Sequence, residues 1–294
     1  MPVSRIFEHY GPTPPDPRWP GGARLALNFV INHEEGGEES FPDGDPRSET
    51  GLTEGSTAAV KGRDLAAESM FQFGSRVGFW RLHRLFTERN LPCTIFAVAR
   101  ALERTPHCVA AIKAAGWDVA AHGWKWEMHA GMDEATERQR IADATAIITR
   151  EIGTPPLGWY TRYAPSENTR RLLIEHGYLY DSDAYDDELP YWREVDGRPH
   201  LVLPYNLTHN DVRFARQGMT SGLEFFEYIK GAVEMMLSDP GGRMLSVGLH
   251  NRIIGHAGRA AGLARLLDWV ATRPEVWVCR RADIARHWVA EHAP

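Results

Sequence analysis

Two adjacent carboxylates, Glu34 and Glu35, follow the apolar run Phe29-Val30-Ile31 and precede the pair Gly36-Gly37. A carboxylate at the tip of a buried strand can take a proton from water, and glycines after it let the chain turn. Other side chains capable of chemistry stand at comparable places. His122 follows "WDVAA" and His250 ends "RMLSVGL". An imidazole titrates near neutrality, so either can polarise a carbonyl or carry a proton. Arg76, between Gly74 and Gly78, and Arg162, after "GWYT", offer planar forks for a substrate oxygen. Asp181 and Asp183 alternate along "YDSDAY" and share a face when extended. Asp183 could reach substrate, and either Asp could orient an imidazole or form a structural ion pair. Trp126 and Trp159 could wall a planar ring, Trp159 alternatively belonging to the core.

These residues need elements to carry them. "ARLALNFVI" (23–31) is a nearly continuous apolar run, as in a strand covered on both faces. "LPCTIFAVAR", "WDVAAHGW", "PLGWYT", "LYDSDAY", "HLVLPY", "RMLSVGLH" and "VWVCRR" read as further strands. Between them, residues 75–90, "PHCVAAIKAAG", "MDEATERQRIADATAIITREIG", "SENTRRLLIEHG", "LEFFEYIKGAVEMML" and "AGRAAGLARLLDWVAT" carry helical spacing, several with acidic starts or closing glycines. About seven strand–helix alternations predict a parallel sheet wrapped by helices, and a barrel fits the length. Residues 1–294 are expected to form one domain. Residues 1–22, rich in Pro and Gly, form an extended arm, and 36–63 form a long loop of the sort that serves function or a partner.

Composition narrows the function. The 294 residues are 43% hydrophobic and 24% charged, with net charge −6, which argues against nucleic acid or an anionic membrane as partner. Cys93, Cys108 and Cys279 are too scattered for a zinc motif and odd in number, so a reducing compartment is expected. With no apolar leader and no long apolar span, the reading is cytoplasmic.

The order of the exits resembles the polysaccharide deacetylase family across roughly residues 23–290. "NHEEG" (32–36), "HGWKW" (122–126), "GWYTRYAPSENTRRL" (158–172), "YDSDAYDDELPYW" (180–192) and "VGLHNR" (247–252) stand in the order of its motifs. The resemblance implies a distorted (β/α)7 barrel. In that family the first exit carries an Asp pair, one base and one metal ligand, and a later His-x3-His completes the metal triad. Here Glu34-Glu35 replace the Asp pair and Trp126 replaces the second His. An indole N–H only donates, so it cannot ligate a cation. The aligned ligand set shrinks to Glu35 and His122, with His33 and His129 nearby as substitutes, and the expectation is a site with no metal and no other cofactor.

"EEGGE", "ESMFQFGSRVGFWRL" (68–82), "DSDAYDDELPYW" and "RRADIARHW" (280–288) are similar to the branch of metal-independent allantoinases and cyclic imide hydrolases. That branch implies a small-molecule cyclic amide, ureide or imide as substrate, opened at a C–N bond, and a homo-oligomer, a tetramer. "WEMH" (126–129) and "TRYAPSENTR" (161–170) depart from the allantoinase pattern, which leaves the ring open between allantoin and an imide such as succinimide. Within this reading Glu35 is the expected base, its pKa raised by burial against Phe29, Trp124 or Trp126, and Glu34 orients it or binds a ring N–H. His122 and His250 serve as acid or polarising groups. The arm, with Tyr10 and Trp19, is expected to pack on another subunit. The rivals are a metal-dependent N-deacetylase of an acetylated sugar and a barrel that only binds.

Overall fold

The computed structural model describes residues 5–7, 9–54 and 60–294; residues 1–4 and 8 of the arm and 55–59 of the long loop lie outside the described residues. The strands are β1 (Leu25–His33), β2 (Thr94–Ala97), β3 (Asp118–Ala121), β4 (Gly158–Trp159), β5 (Tyr180–Asp181), β6 (Tyr191–Val195), β7 (Arg198–Val202), β8 (Arg243–His250) and β9 (Val276–Val278). The helices are α1 (Leu65–Phe73), α2 (Phe79–Thr87), α3 (Ala99–Arg104), α4 (Pro106–Ala114), α5 (Glu134–Ile152), α6 (Thr169–Glu175), α7 (Val212–Ala215), α8 (Gly222–Ser238), α9 (Asn251–Ile254), α10 (Ala257–Val270) and α11 (Arg281–Glu291). The nine-stranded sheet runs β6-β7-β5-β4-β3-β2-β1-β8, with β9 beside the start of β1. All pairings but β6–β7 are parallel. The expected barrel is a curled sheet with helices outside.

Two local features depart from the simple alternation. The helix expected over 75–90 begins as a π-helical turn, Gly74–Gly78, before α2. The β6–β7 hairpin was not expected. It turns on Asp196-Gly197, both with positive φ (50° and 74°), the chemistry that a tight hairpin favours.

Where the curled sheet stays open, other groups join its edges. Met244 N donates to Glu188 O at 2.8 Å, and Asn210 forms a single bridge to Gly248 of β8. Arg281, fully buried, reaches Asn28 Oδ1 (3.1 Å), Ser246 Oγ (2.6 Å), Ser182 Oγ (2.8 Å) and Leu203 O (2.6 Å), tying four parts of the wall together. The arm also packs here, on its own barrel. Trp19 is 2% exposed and donates to Arg243 O at 2.9 Å, while Tyr10 donates to Pro190 O at 2.8 Å. The expectation that these aromatics need a second subunit is therefore corrected; the open seam supplies the apolar surface they bury.

Alternation along each strand sorts the side chains into two layers. Leu25, Leu27, Phe29 and Ile31 face the helices and join the main core. Asn28, Val30 and Asn32 face the barrel interior, where Val30 packs with Phe96, Ala120, Tyr160 and Tyr205. The register sets His33, Ala97, Ala121, Trp159 and Asp181 at one level across five strands. In four of these strands the next residue points inward: Glu34, His122, Tyr160 and Ser182 lie one step on.

Candidate active site

Glu34 stands at the top of the interior layer, in phase with Asn28, Val30 and Asn32. Its Oε1 lies 3.2 Å from His122 Nε2 and 3.5 Å from His250 Nε2, and its Oε2 lies 2.7 Å from Arg252 NH1. All four groups are buried. Together with Asn32, Trp126, Tyr160, Arg162 and Tyr163, the carboxylate and both imidazoles line a cavity of about 10 Å³, the room of roughly one water. Tyr163, at its mouth, holds φ 59°, a conformation that costs a bulky aromatic residue energy.

Each imidazole is held by its other nitrogen. Nδ1 of His122 donates to Tyr160 O at 2.8 Å, the next strand's first residue beyond β4. Nδ1 of His250 donates to Asp211 Oδ1 at 2.6 Å. Asp211 reaches this place because 209–211 bridges β8: its Oδ2 also accepts His250 N (2.7 Å) and Ile254 N (3.1 Å). With Nδ1 protonated in both rings, each Nε2 aims at Glu34 and the cavity.

The charges push the two central groups apart. Burial alone would raise the Glu34 carboxyl, but Arg252 and His250 hold it well below the usual carboxylate range. Burial alone would lower His250, but Glu34 and Asp211 overcome it and bring it to about 9. A carboxylate kept ionised beside an imidazolium kept protonated is a base–acid pair at neutral pH.

Glu35, the expected base, does not line the cavity. It is in phase with Phe29 and Ile31 and turns to the helix side, where its Oε2 accepts Asn251 Nδ2 at 2.9 Å. Gly74 is required for this: a Cβ there would overlap the Glu35 carboxylate. His33 shares that outer network. Thr105 Oγ1 donates to Ala101 O (2.7 Å), so it accepts from His33 Nε2 (2.8 Å), and His33 Nδ1 accepts from Asn251 (3.2 Å). Burial, opposed by Glu35 and Glu34, keeps His33 below its ordinary pKa.

The same parity removes two further candidates. Asp183 turns outward and accepts Thr161 N and Oγ1, both at 2.7 Å; burial, then Asp181, raise its carboxyl. Asp181 pairs with Arg170 (2.8 Å) and His200 (3.0 Å) and orients neither site imidazole. Trp159 is core, donating to Thr161 Oγ1 at 2.8 Å. Arg76 is exposed on the π turn; its flanking glycines matter instead, Gly78 giving Asn251 O room. Trp126 does line the cavity, under the Arg162 guanidinium at 3.6 Å. Arg162 lines it too, but its fork is committed to Trp126 O (2.9 Å) and Glu49 (2.8 Å). Residues not singled out beforehand are Arg252, inside the quoted "VGLHNR", Tyr160, Tyr163, Asn32 and Asp211. Asp211 alone lay in no motif.

The polysaccharide deacetylase family matches residues 62–180. A Schizosaccharomyces pombe protein that carries the name polysaccharide deacetylase is 33% identical over 298 residues, 93% of each chain. The chain belongs to the polysaccharide deacetylase family. Among solved structures it is similar to PuuE allantoinase, at 46% identity, TM-score 0.95 and full coverage of both chains. It is also similar to a Pseudomonas aeruginosa PAO1 structure described as a polysaccharide deacetylase, at 45% identity, TM-score 0.94 and 99% of each chain.

A family metal does not fit the residues present. Arg252 already supplies the cation on Glu34 Oε2. Glu35, in the fallback ligand set with His122, faces the other side of the sheet. Both nitrogens of His33 are engaged, and His129, held through Nδ1 by Glu137 at 3.0 Å, does not line the cavity, so neither replaces the missing ligand there. Among the described residues no group of three or more His, Cys, Asp or Glu could hold a metal ion.

Proposed function

We propose that this chain is a hydrolase that opens a C–N bond of a cyclic amide, ureide or imide without a metal. The observation that carries the reading is one carboxylate oxygen, Glu34 Oε1, within 3.5 Å of two imidazole Nε2 atoms that line one interior pocket. Similarity over the whole chain to PuuE allantoinase supports the class of reaction. Ring opening needs an activated water, a donor for the developing oxyanion and a proton for the leaving nitrogen. Glu34 takes the proton from water. The His250 imidazolium, steadied by Asp211, donates Nε2–H to the carbonyl oxygen as it gains charge. His122 Nε2 accepts the O–H of Glu34 once the carboxyl has taken the water proton, and Glu34 returns that proton to the nitrogen as the C–N bond breaks. Trp126 and Tyr160 line the space a planar ring would occupy, and a ring enters when the strained Tyr163 segment moves aside.

Arg252 on Glu34 weighs against the metal-dependent sugar deacetylase, since its guanidinium holds the place of the cation. The matched acid and base weigh against a barrel that only binds. The cytoplasmic setting and the homotetramer belong to this proposal as well; buried, unpaired Cys93, Cys108 and Cys279 support a reducing compartment. Among the described residues no helix is long and apolar enough to cross a membrane. Light scattering at low concentration tests the tetramer. A panel of allantoin, succinimide, hydantoin, dihydrouracil and N-acetylglucosamine oligomers tests the reaction. At least one ring should be hydrolysed and the sugars left intact; deacetylation alone would overturn the reading.

A further inference from the structure

We infer that the pocket selects rings carrying no charge and rejects rings that bear a carboxylate, and that Glu49 sets this selectivity by neutralising Arg162. The inference rests on the ring-opening reading above. A pocket built for an anionic ring needs a cation whose charge the protein has not already matched. Among the described residues that line the cavity, Arg162 is the sole guanidinium, and it is matched. Glu49 Oε2 lies 2.8 Å from its NH2, its NH1 donates to Trp126 O at 2.9 Å, and its plane lies 3.6 Å over the Trp126 ring.

Glu49 is not a chance surface acid. It is 7% exposed, its Oε1 accepts Gly51 N at 2.6 Å, and its own N–H donates to Glu39 O at 2.8 Å. The long loop thus carries one buried carboxylate to the barrel mouth and fixes it there. The other cations are matched as well. Arg252 lies on Glu34 (2.7 Å) and near Glu35 (3.6 Å), and His250 on Asp211 (2.6 Å). A ring bearing a carboxylate would therefore meet Glu34 with no free positive partner, in a space where charges are poorly screened.

Product release follows from the same balance. Water oxygen bonds to the carbonyl carbon, the C–N bond breaks, and the nitrogen takes a proton. The new carboxylic acid then loses its proton, so a neutral substrate becomes an anion facing Glu34. Repulsion favours its exit and disfavours its return for ring closure.

The test compares two rings of the same size, hydantoin-5-acetamide and hydantoin-5-acetate, with hydantoin, succinimide and allantoin alongside. In the native enzyme kcat/KM for the acetamide should exceed that for the acetate by at least about tenfold, from like-charge rejection. Glu49→Gln frees Arg162 and should shrink that ratio, mainly through KM for the acetate. The double variant Glu49→Gln with Arg162→Gln restores the original balance and should restore the ratio. Equal use of both rings by the native enzyme, or a ratio unmoved by Glu49→Gln, overturns the inference while leaving ring opening intact. Failure to turn over any neutral ring overturns the ring-opening reading and this inference with it. Should Glu49→Gln not fold, the native comparison still decides.

Discussion

The chain builds two buried polar networks from nearly the same parts, back to back across one strand end. On the inner face Glu34 meets His122 and His250; on the outer face Glu35 meets Asn251 and His33. None of Glu35, His33 and Asn251 in the outer network lines the cavity. Both ring nitrogens of His33 are engaged and its pKa is pushed down, which keeps the ring neutral. The inner network is left open on one side. Its imidazoles are fixed through Nδ1 and present Nε2 to a cavity, and its carboxylate and His250 are driven to opposite charges. The difference separates a polar cluster that holds structure from one that can do chemistry. Groups packed against one another rigidify, whereas reactive groups need to be preorganised around a space that substrate can enter.

The largest effect should come from Glu34→Gln, which leaves shape intact and removes the base. Turnover should fall by about 10²–10⁴-fold. Glu35→Gln should keep most turnover and instead lower stability by about 1–3 kcal/mol, as for a buried group that loses its charged partner. Steady-state rates and urea melts on the two variants decide the matter, and the opposite pattern would exchange the roles of the two faces.

Asp211→Asn should act next, costing about 10²-fold in kcat by weakening the hold on His250. The pH profile sharpens this. The proposed mechanism requires Glu34 ionised and His250 protonated, so the native rate should fall as pH rises through about 9, where His250 loses its proton. Removing Asp211 removes one cause of that raised value, so the alkaline limb should move to lower pH. An unmoved limb would assign it to another group.

Gly74→Ala probes the outer network from behind. Its Cβ would overlap Glu35, so a loss of about 1–3 kcal/mol is expected, as for overpacked sites. Gly231→Ala, in α8 with nothing within 4 Å of the added carbon, should be neutral or up to about 1 kcal/mol more stable. Equal effects in thermal or urea unfolding would remove the special role given to Gly74.

The smallest effect should be that of a chelator. Under the proposed metal-free mechanism, dialysis against EDTA should leave turnover unchanged and added zinc should not raise it, since Arg252 already answers the charge of Glu34. Loss of activity on chelation, restored by zinc, would break the contrast between the networks, since the inner one would then need a partner from outside.

Much of this was legible in the chain itself. Runs of apolar residues separated by helical spacing determined the parallel sheet, and each strand end marked a candidate. Even the division between Glu34 and Glu35 was readable: Leu25, Leu27, Phe29 and Ile31 are the bulky outward set, so even-numbered positions of β1 point inward. Carried through β4 and β5, the same parity turns Trp159 and Asp183 away from the cavity. The Asp196-Gly197 hairpin carried its own local signal.

Tertiary structure alone decided which charge answers which. Asp211 belongs to no motif, and it reaches His250 only because residues 209–211 bridge β8 across the seam. Arg252 sits two residues past His250, yet only the turn into α9, packed against the glycines of the π turn, brings its guanidinium onto Glu34. Glu49 meets Arg162 from more than a hundred residues away. The physical reason is one of range. Strand, helix and face follow from contacts within a few residues, which a sequence displays. The pKa of a buried group follows from charges a few ångströms away in space, which only the closed fold determines.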